Sequence, residues 1–314
     1  MEREKKITID VVIPTYRPGK EFPVLLRRLA RQERRPDHVL IINTEKKYWN
    51  KEWEEIFPGL LVRHITKAGF DHGRTRREAA DLLKGEILIY MTQDAVPADR
   101  FLIRELSGTL LNEPQAGACY ARQLPRKNCD YLERQSRAFN YPEKSCRRSI
   151  EDIPEYGIKT FFCSNVCAAY WREAYEYAGG FPAKAIFNED MVMACSLMKT
   201  GYTVVYNAKA RVYHSHNYTA GRLFRRNFDN GVSHAEFPEV FALVPPEGEG
   251  LRMITKTAGN ALKQGKAWIL PELFVQSAMK YAGFSLGKHY EKLPRALIHR
   301  ITTNKAYWKN VVLP

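Results

Sequence analysis

The chain has no long uninterrupted apolar run. Its best candidate for a membrane span, Trp268 to Leu286, is broken by Pro271, Glu272, Gln276 and Lys280, so no spanning helix is expected. The opening MEREKKITIDVVIP lacks the apolar core of a secretory leader, and a cytoplasmic protein is expected. Cysteine is scarce, with six in 314 residues. Only Cys163 and Cys167 lie close together, and no second pair completes a zinc site. Reduced structural thiols are the expectation. Internal repeats and low-complexity tracts are missing. So are helix-turn-helix, zinc-finger, RRM and KH signatures, which argues against a nucleic-acid partner.

Acidic residues are also in short supply. Lys and Arg number 49 against 35 Asp and Glu, a net charge of +14 with a pI of about 9.4. An anionic partner is implied, and nucleic acid, anionic lipid headgroups and a diphosphate all qualify by charge. From Arg222 onward there are 14 basic and 7 acidic residues, so half of the excess sits on under a third of the chain. The hydrophobic share of 45% is that of an ordinary globular protein long enough for one or two domains.

The spacing predicts alternating strands and helices. Ile7–Ile13 reads as a buried strand, with Pro14-Thr15-Tyr16-Arg17-Pro18-Gly19 turning off its end and a helix over 21–34. Strands follow at 39–42 and 60–65, and a helix runs from the turn 67–73 to Lys84. The apolar run Ile87–Thr92 reads as a central strand buried on both faces, ending in Gln93-Asp94-Ala95. A helix over 99–111 and a strand over 117–121 continue the alternation, which predicts a doubly wound parallel sheet. Residues 122–160 read as a long loop of the kind that serves function. Then come a strand running into a short helix over 161–171 and a turn at Gly179-Gly180-Phe181-Pro182. A helix capped by Asn188 carries Glu189 and Asp190 in its first turn. Two short strands, 203–206 and 210–214, close in His214-Ser215-His216, and everything beyond Tyr218 reads as helical and basic. Residues 250–265 and 267–287 suggest an amphipathic hairpin.

An aspartate at the tip of a central strand, a Glu-Asp pair at a helix start and a histidine ending a later strand bring chemistry to one sheet edge, where open α/β sheets bind ligands. Singly, each is more often a cap or a structural group. Together, Val11-Val12-Ile13-Pro14-Thr15-Tyr16, Gln93-Asp94-Ala95, Gly179-Gly180-Phe181 and Glu189-Asp190 resemble the family 2 glycosyltransferases from Ile7 to about Gly231. Phe70-Asp71-His72-Gly73-Arg74, Arg122-Gln123-Leu124-Pro125, Phe139-Asn140-Tyr141-Pro142, Ser164-Asn165 and His214-Ser215-His216-Asn217-Tyr218 resemble the bacterial rhamnosyltransferase branch. Two departures stand out. The family's acidic residue after the second strand is replaced by Asn43-Thr44, and its D-x-D is reduced to Asp94.

The resemblance implies a GT-A type α/β fold, Rossmann-like, with a mostly parallel central sheet flanked by helices and a helical C-terminal extension. It implies a catalytic domain over 1–221, divided near 121 into nucleotide and acceptor halves, and a basic helical region over 222–314. It implies an inverting, metal-dependent glycosyltransferase using dTDP-L-rhamnose, with a UDP-hexose as the alternative donor. The nucleotide sugar would be held by Pro14, Thr15, Tyr16, Asn43, Asp71, Gly73, Arg74, Gln93 and Asp94. Mg²⁺ or Mn²⁺ would be bound by Asp94 and His214, with His216 as alternate. Asp190 is the expected general base, with Glu189 as runner-up, because a first-turn carboxylate near the positive end of the helix dipole should stay ionised. A glycan or lipid-linked glycan acceptor fits a basic C-terminal region lying on an anionic membrane, at the inner face of the plasma membrane. A homodimer is the other use for those helices.

Overall fold

The computed structural model describes residues 7–243 and 247–310, so the first six residues of the stretch read for a leader lie outside it. The strands are β1 (Ile9–Tyr16), β2 (His38–Thr44), β3 (Leu60–Ile65), β4 (Ile87–Met91), β5 (Val96–Pro97), β6 (Ala116–Leu124), β7 (Cys146–Arg148), β8 (Cys167–Trp171) and β9 (Thr203–Tyr213). They form one sheet in the order β3-β2-β1-β4-β8-β6-β9-β5, with β7 also on β9. All five residues of β4 are buried, as an apolar run in the middle of a covered sheet requires. Alternation along the strands divides the core. Val11, Ile13, Ile87 and Ile89 pack with the helices Glu21–Ala30 and Leu102–Asn112. Val12, Leu88 and Tyr90 pack with His72–Asp81 and Glu189–Lys199 on the other face.

The parallel set β3-β2-β1-β4 is as the alternation predicts. Beyond it the sheet is mixed, because β8 inserts antiparallel between β4 and β6. Since β6 is parallel to β9, the strands β1, β2, β3, β4, β6 and β9 all run the same way, and β8 starts where they end. One edge of the sheet therefore collects the ends of six strands and the beginning of β8.

Several local readings change. β1 does not end at Ile13 but carries Pro14, Thr15 and Tyr16 as strand residues against β2. Its pairing with β4 stops at Val12, so Pro14 lies where β1 has a single neighbour and its missing N–H is tolerated. The turn comes at Arg17, in the left-handed region at φ 49°. The expected loop 122–160 holds the end of β6, the helix Tyr131–Asn140, β7 and short helical turns. The two short strands are one, β9, with an irregular register after Asn207.

After β9, the helix Ala220–Glu236 packs against Leu270–Lys288. Their axes approach through glycines: a Cβ at Gly231 would lie 2.2 Å from the Phe284 carbonyl oxygen, and one at Gly287 would lie 2.1 Å from that of Phe228. The expected hairpin partner, now Glu247–Lys263, lies against Leu270–Lys288 and the helix Tyr131–Asn140. Trp308, Tyr307 and Tyr290 close a small core over Phe228 and Val232. Among the described residues no helix is long and apolar enough to cross a membrane.

Candidate active site

The strand ends bring three metal-type ligands together. Asp94 follows β4, and His214 and His216 follow β9. Their donor atoms lie within 4.8 Å of one another. Asp94 Oδ2 is 3.6 Å from His214 Nε2 and 3.3 Å from His216 Nε2, and the two imidazole nitrogens are 3.0 Å apart. Burial, with Arg137 nearby, pushes the His214 pKa well below its ordinary value. Burial lowers that of His216 too, against the pull of Asp94. Two neutral imidazoles and a carboxylate oxygen are a donor set that fits a divalent cation. Arg126 borders it, donating to the Asp94 carbonyl oxygen at 2.6 Å.

The same cavity is lined by Glu189 and Asp190, at the start of the helix Glu189–Lys199. The start is not the side-chain cap expected. Asn188 is left-handed at φ 59°, its amide nitrogen donates to Asn230 Oδ1 at 2.7 Å, and its side chain accepts nothing from the helix N–H groups. The two carboxylates have different fates. Burial opposes the Glu189 charge, but Arg76 at 3.3 Å, with His72 and the Asn165 amide, outweighs it and holds the pKa low. Asp190 is pushed up to about 7 by burial and by the Glu189 charge, against donation from the Asn165 and Met191 main chain. The helix dipole alone would favour the charged form; at Asp190 burial and a like charge outweigh it. A carboxyl poised near neutrality is suited to exchange a proton.

Both groups line one cavity of about 370 Å³ together with Arg76, Arg137, Tyr218 and Arg226. Arg226 comes from beyond the expected catalytic boundary at 221. Arg76, Arg137 and Asn165 carried no role in the sequence reading. Arg74 did, yet it lies outside the cavity lining, half-exposed and bound to the Gly69 carbonyl oxygen at 3.1 Å. It is Arg76, two positions on around the same helix, that faces inward.

Other residues expected to contact the nucleotide also make hydrogen bonds that hold the frame. Asp71 caps its helix, accepting from Gly73 at 2.9 Å and Arg74 at 3.0 Å, and also binds the Ala185 N–H. Gly73 leaves room for the Pro182 carbonyl oxygen, which a Cβ would approach to 2.1 Å. Gln93 clamps the Tyr16 main chain, accepting from its N–H at 2.8 Å and donating to its carbonyl oxygen at 3.1 Å. Asn43 is buried, accepting from Thr15 Oγ1 and bonded to His64 and the Glu45 carbonyl oxygen. Tyr16 meets Tyr48 edge-on, with Arg17 over both rings and Lys67 over Tyr16, at the tips of β1 and β2.

Comparison with known proteins gives the family and the fold. Residues 10–179 match Glycosyl transferase family 2. The O-antigen chain rhamnosyltransferase RfbN of Salmonella typhimurium is 37% identical over 305 residues, 96% of each chain. The O-antigen chain rhamnosyltransferase WbaN of Salmonella anatum is 33% identical over 307 residues, 97% of this chain and 96% of that one. The mannosyltransferase PcManGT from Pyrobaculum calidifontis, solved with GDP-Man and Mn²⁺, shares the fold at TM-score 0.60 and 18% identity, over 92% of this chain and 89% of that chain. The chain belongs to glycosyl transferase family 2. It is a glycosyltransferase of mixed α/β fold whose helical C-terminal part lies within the span shared with both rhamnosyltransferases.

Proposed function

We propose that the chain transfers L-rhamnose from dTDP-L-rhamnose, with inversion, to a hydroxyl of a lipid-linked glycan in cell-surface polysaccharide synthesis. One observation carries the mechanism: Asp190, poised near neutrality, lines the same cavity as Asp94, His214 and His216. Asp190 takes the proton of the acceptor hydroxyl as its oxygen attacks the anomeric carbon. The bond from that carbon to the diphosphate oxygen breaks, and the electron pair leaves with the nucleoside diphosphate. Asp94, His214 and His216 would hold Mg²⁺ or Mn²⁺, which supplies charge neutralisation at the diphosphate. Arg126, beside Asp94, adds fixed positive charge there. Glu189 stays ionised against Arg76 and so keeps the Asp190 pKa high enough for a working base.

The donor rests on the two rhamnosyltransferase relatives, whose similarity spans nearly the whole chain. Tyr16, Arg17, Tyr48 and Lys67 offer a cationic, aromatic edge for a base and phosphates. The acceptor's lipid would be approached from the C-terminal helices. Trp268, Phe274, Tyr281 and Leu251 are each exposed there, Phe274 by 74%. With the basic excess of the region they suit an anionic bilayer on the cytoplasmic side. The test supplies labelled dTDP-L-rhamnose and labelled UDP-glucose with lipid-linked glycan intermediates and reads lipid-extractable product. Label from dTDP-L-rhamnose alone, in the anomer opposite to the donor's, supports the reading. Transfer from UDP-glucose alone would overturn the donor, and retention would overturn the single-base mechanism.

A further inference from the structure

Gln123, at the end of β6, is buried and makes four side-chain hydrogen bonds to four different parts of the site. Its Oε1 faces Arg137 Nη1 and His214 Nδ1, the latter at 2.8 Å. Its Nε2 faces Tyr141 Oη at 2.5 Å and Ser164 Oγ at 3.0 Å. An amide can be turned over, but not here. A guanidinium only donates, so the atom facing Arg137 must be the oxygen. Arg137 is itself held by Glu133 Oε1 at 2.6 Å. With oxygen at that position, the contact to His214 Nδ1 requires that Nδ1 carry the hydrogen. In a neutral imidazole Nε2 is then bare, and its lone pair is directed to the space beside Asp94 Oδ2 and His216 Nε2.

We propose that Arg137 and Gln123 are positioning residues that lock His214 in the Nδ1–H tautomer, so that Nε2 is a ready cation ligand. The chain of constraint runs from Glu133, which holds Arg137 in place, through Arg137, which sets the orientation of the Gln123 amide, to Gln123, which sets the proton of His214. The inference rests on the metal-site reading above and deepens it. His216 has no comparable lock: no partner of its Nδ1 is seen among the described residues, and its ring is more open to solvent. Outer partners of metal-ligating histidines typically contribute about 10–100-fold to metal affinity.

Two readouts test this, and neither uses activity. The first is the ¹⁵N NMR tautomer state of His214 in the metal-free wild type, which should show Nδ1 protonated. An Nε2–H tautomer overturns the proposal whatever the variants do. The second is Mn²⁺ titration followed by electron paramagnetic resonance. Gln123→Met keeps the length but offers only a weakly accepting thioether, so it should lose about 10–100-fold in Mn²⁺ affinity. Gln123→Glu still accepts from both Arg137 and His214, while the Tyr141 and Ser164 hydroxyls turn to donate, and should bind Mn²⁺ within a few-fold of wild type. A residue that only packed would show the reverse order, the charged side chain being the worse one. Equal Mn²⁺ binding by wild type and Gln123→Met overturns the proposal. A wild type that binds no Mn²⁺ overturns the metal site instead, and the tautomer measurement still decides the lock.

Discussion

Replacing Asp190 with Asn removes the proposed base and leaves most of its frame. Both carboxylate oxygens accept main-chain N–H groups, Oδ1 from Met191 at 2.9 Å and Oδ2 from Asn165 at 3.0 Å. Asparagine has one acceptor oxygen, so one N–H is left facing an amide NH₂, a penalty of about 1–3 kcal/mol. The burial and Glu189 repulsion that raise the Asp190 pKa no longer act on a neutral side chain, which offsets much of that penalty. The variant should therefore fold near wild-type stability. Its turnover should fall by about 10²–10⁴-fold with donor affinity nearly unchanged, because a base acts in the transition state.

The pH dependence has a definite sign. A base works deprotonated, so wild-type kcat/KM should rise with pH through about 7 and then level, whereas the variant should be flat there. A carboxyl whose folded pKa exceeds its ordinary 3.8 favours the folded state at low pH. Relative to Asp190→Asn, the wild type should thus be best stabilised below about pH 4, losing that advantage as pH rises through about 7. Stopped assays across pH and thermal melts check both. Full turnover by Asp190→Asn with a dead Glu189→Gln would exchange the roles. Activity in both would refute the reasoning.

Arg76→Leu leaves Glu189 buried without its cation and should destabilise by about 3–5 kcal/mol, read by urea unfolding. Gly287→Val would drive a side chain into the Phe228 carbonyl and separate two helices, with a loss of about 1–3 kcal/mol in the same assay. The double change Trp268→Ser with Phe274→Ser should weaken co-sedimentation with anionic vesicles and leave melting unchanged. Equal binding of the native chain to neutral and anionic vesicles would instead point to a dimer interface.

What the sequence revealed follows from how local each signal is. Asp94 was legible because a fully apolar strand stops there, and Glu189-Asp190 because helix starts favour acids. His214 and His216 marked the close of another strand. The positions missed depend on long-range placement. Arg74 and Arg76 differ only in helix phase, and which one faces inward is set by Glu189, over a hundred residues away. The antiparallel insertion of β8 leaves no local trace, because its apolar residues suit a strand of either direction. Asn188 looked like a cap by composition, but its side chain is taken by Asn230 from the helix Ala220–Glu236. Residues 122–160 read as a loop because the helix Tyr131–Asn140 buries only Leu132, and its Arg137 serves the site rather than a core.

Calorimetric titration of dTDP-L-rhamnose, with Mn²⁺ and then with a chelator, into the wild type and into Asp94→Ala tests the central claim most directly. The account predicts binding by the wild type that requires the metal, no metal-enhanced binding by Asp94→Ala, and weaker binding of UDP-glucose by the wild type. Binding that is indifferent both to the chelator and to Asp94 would contradict it.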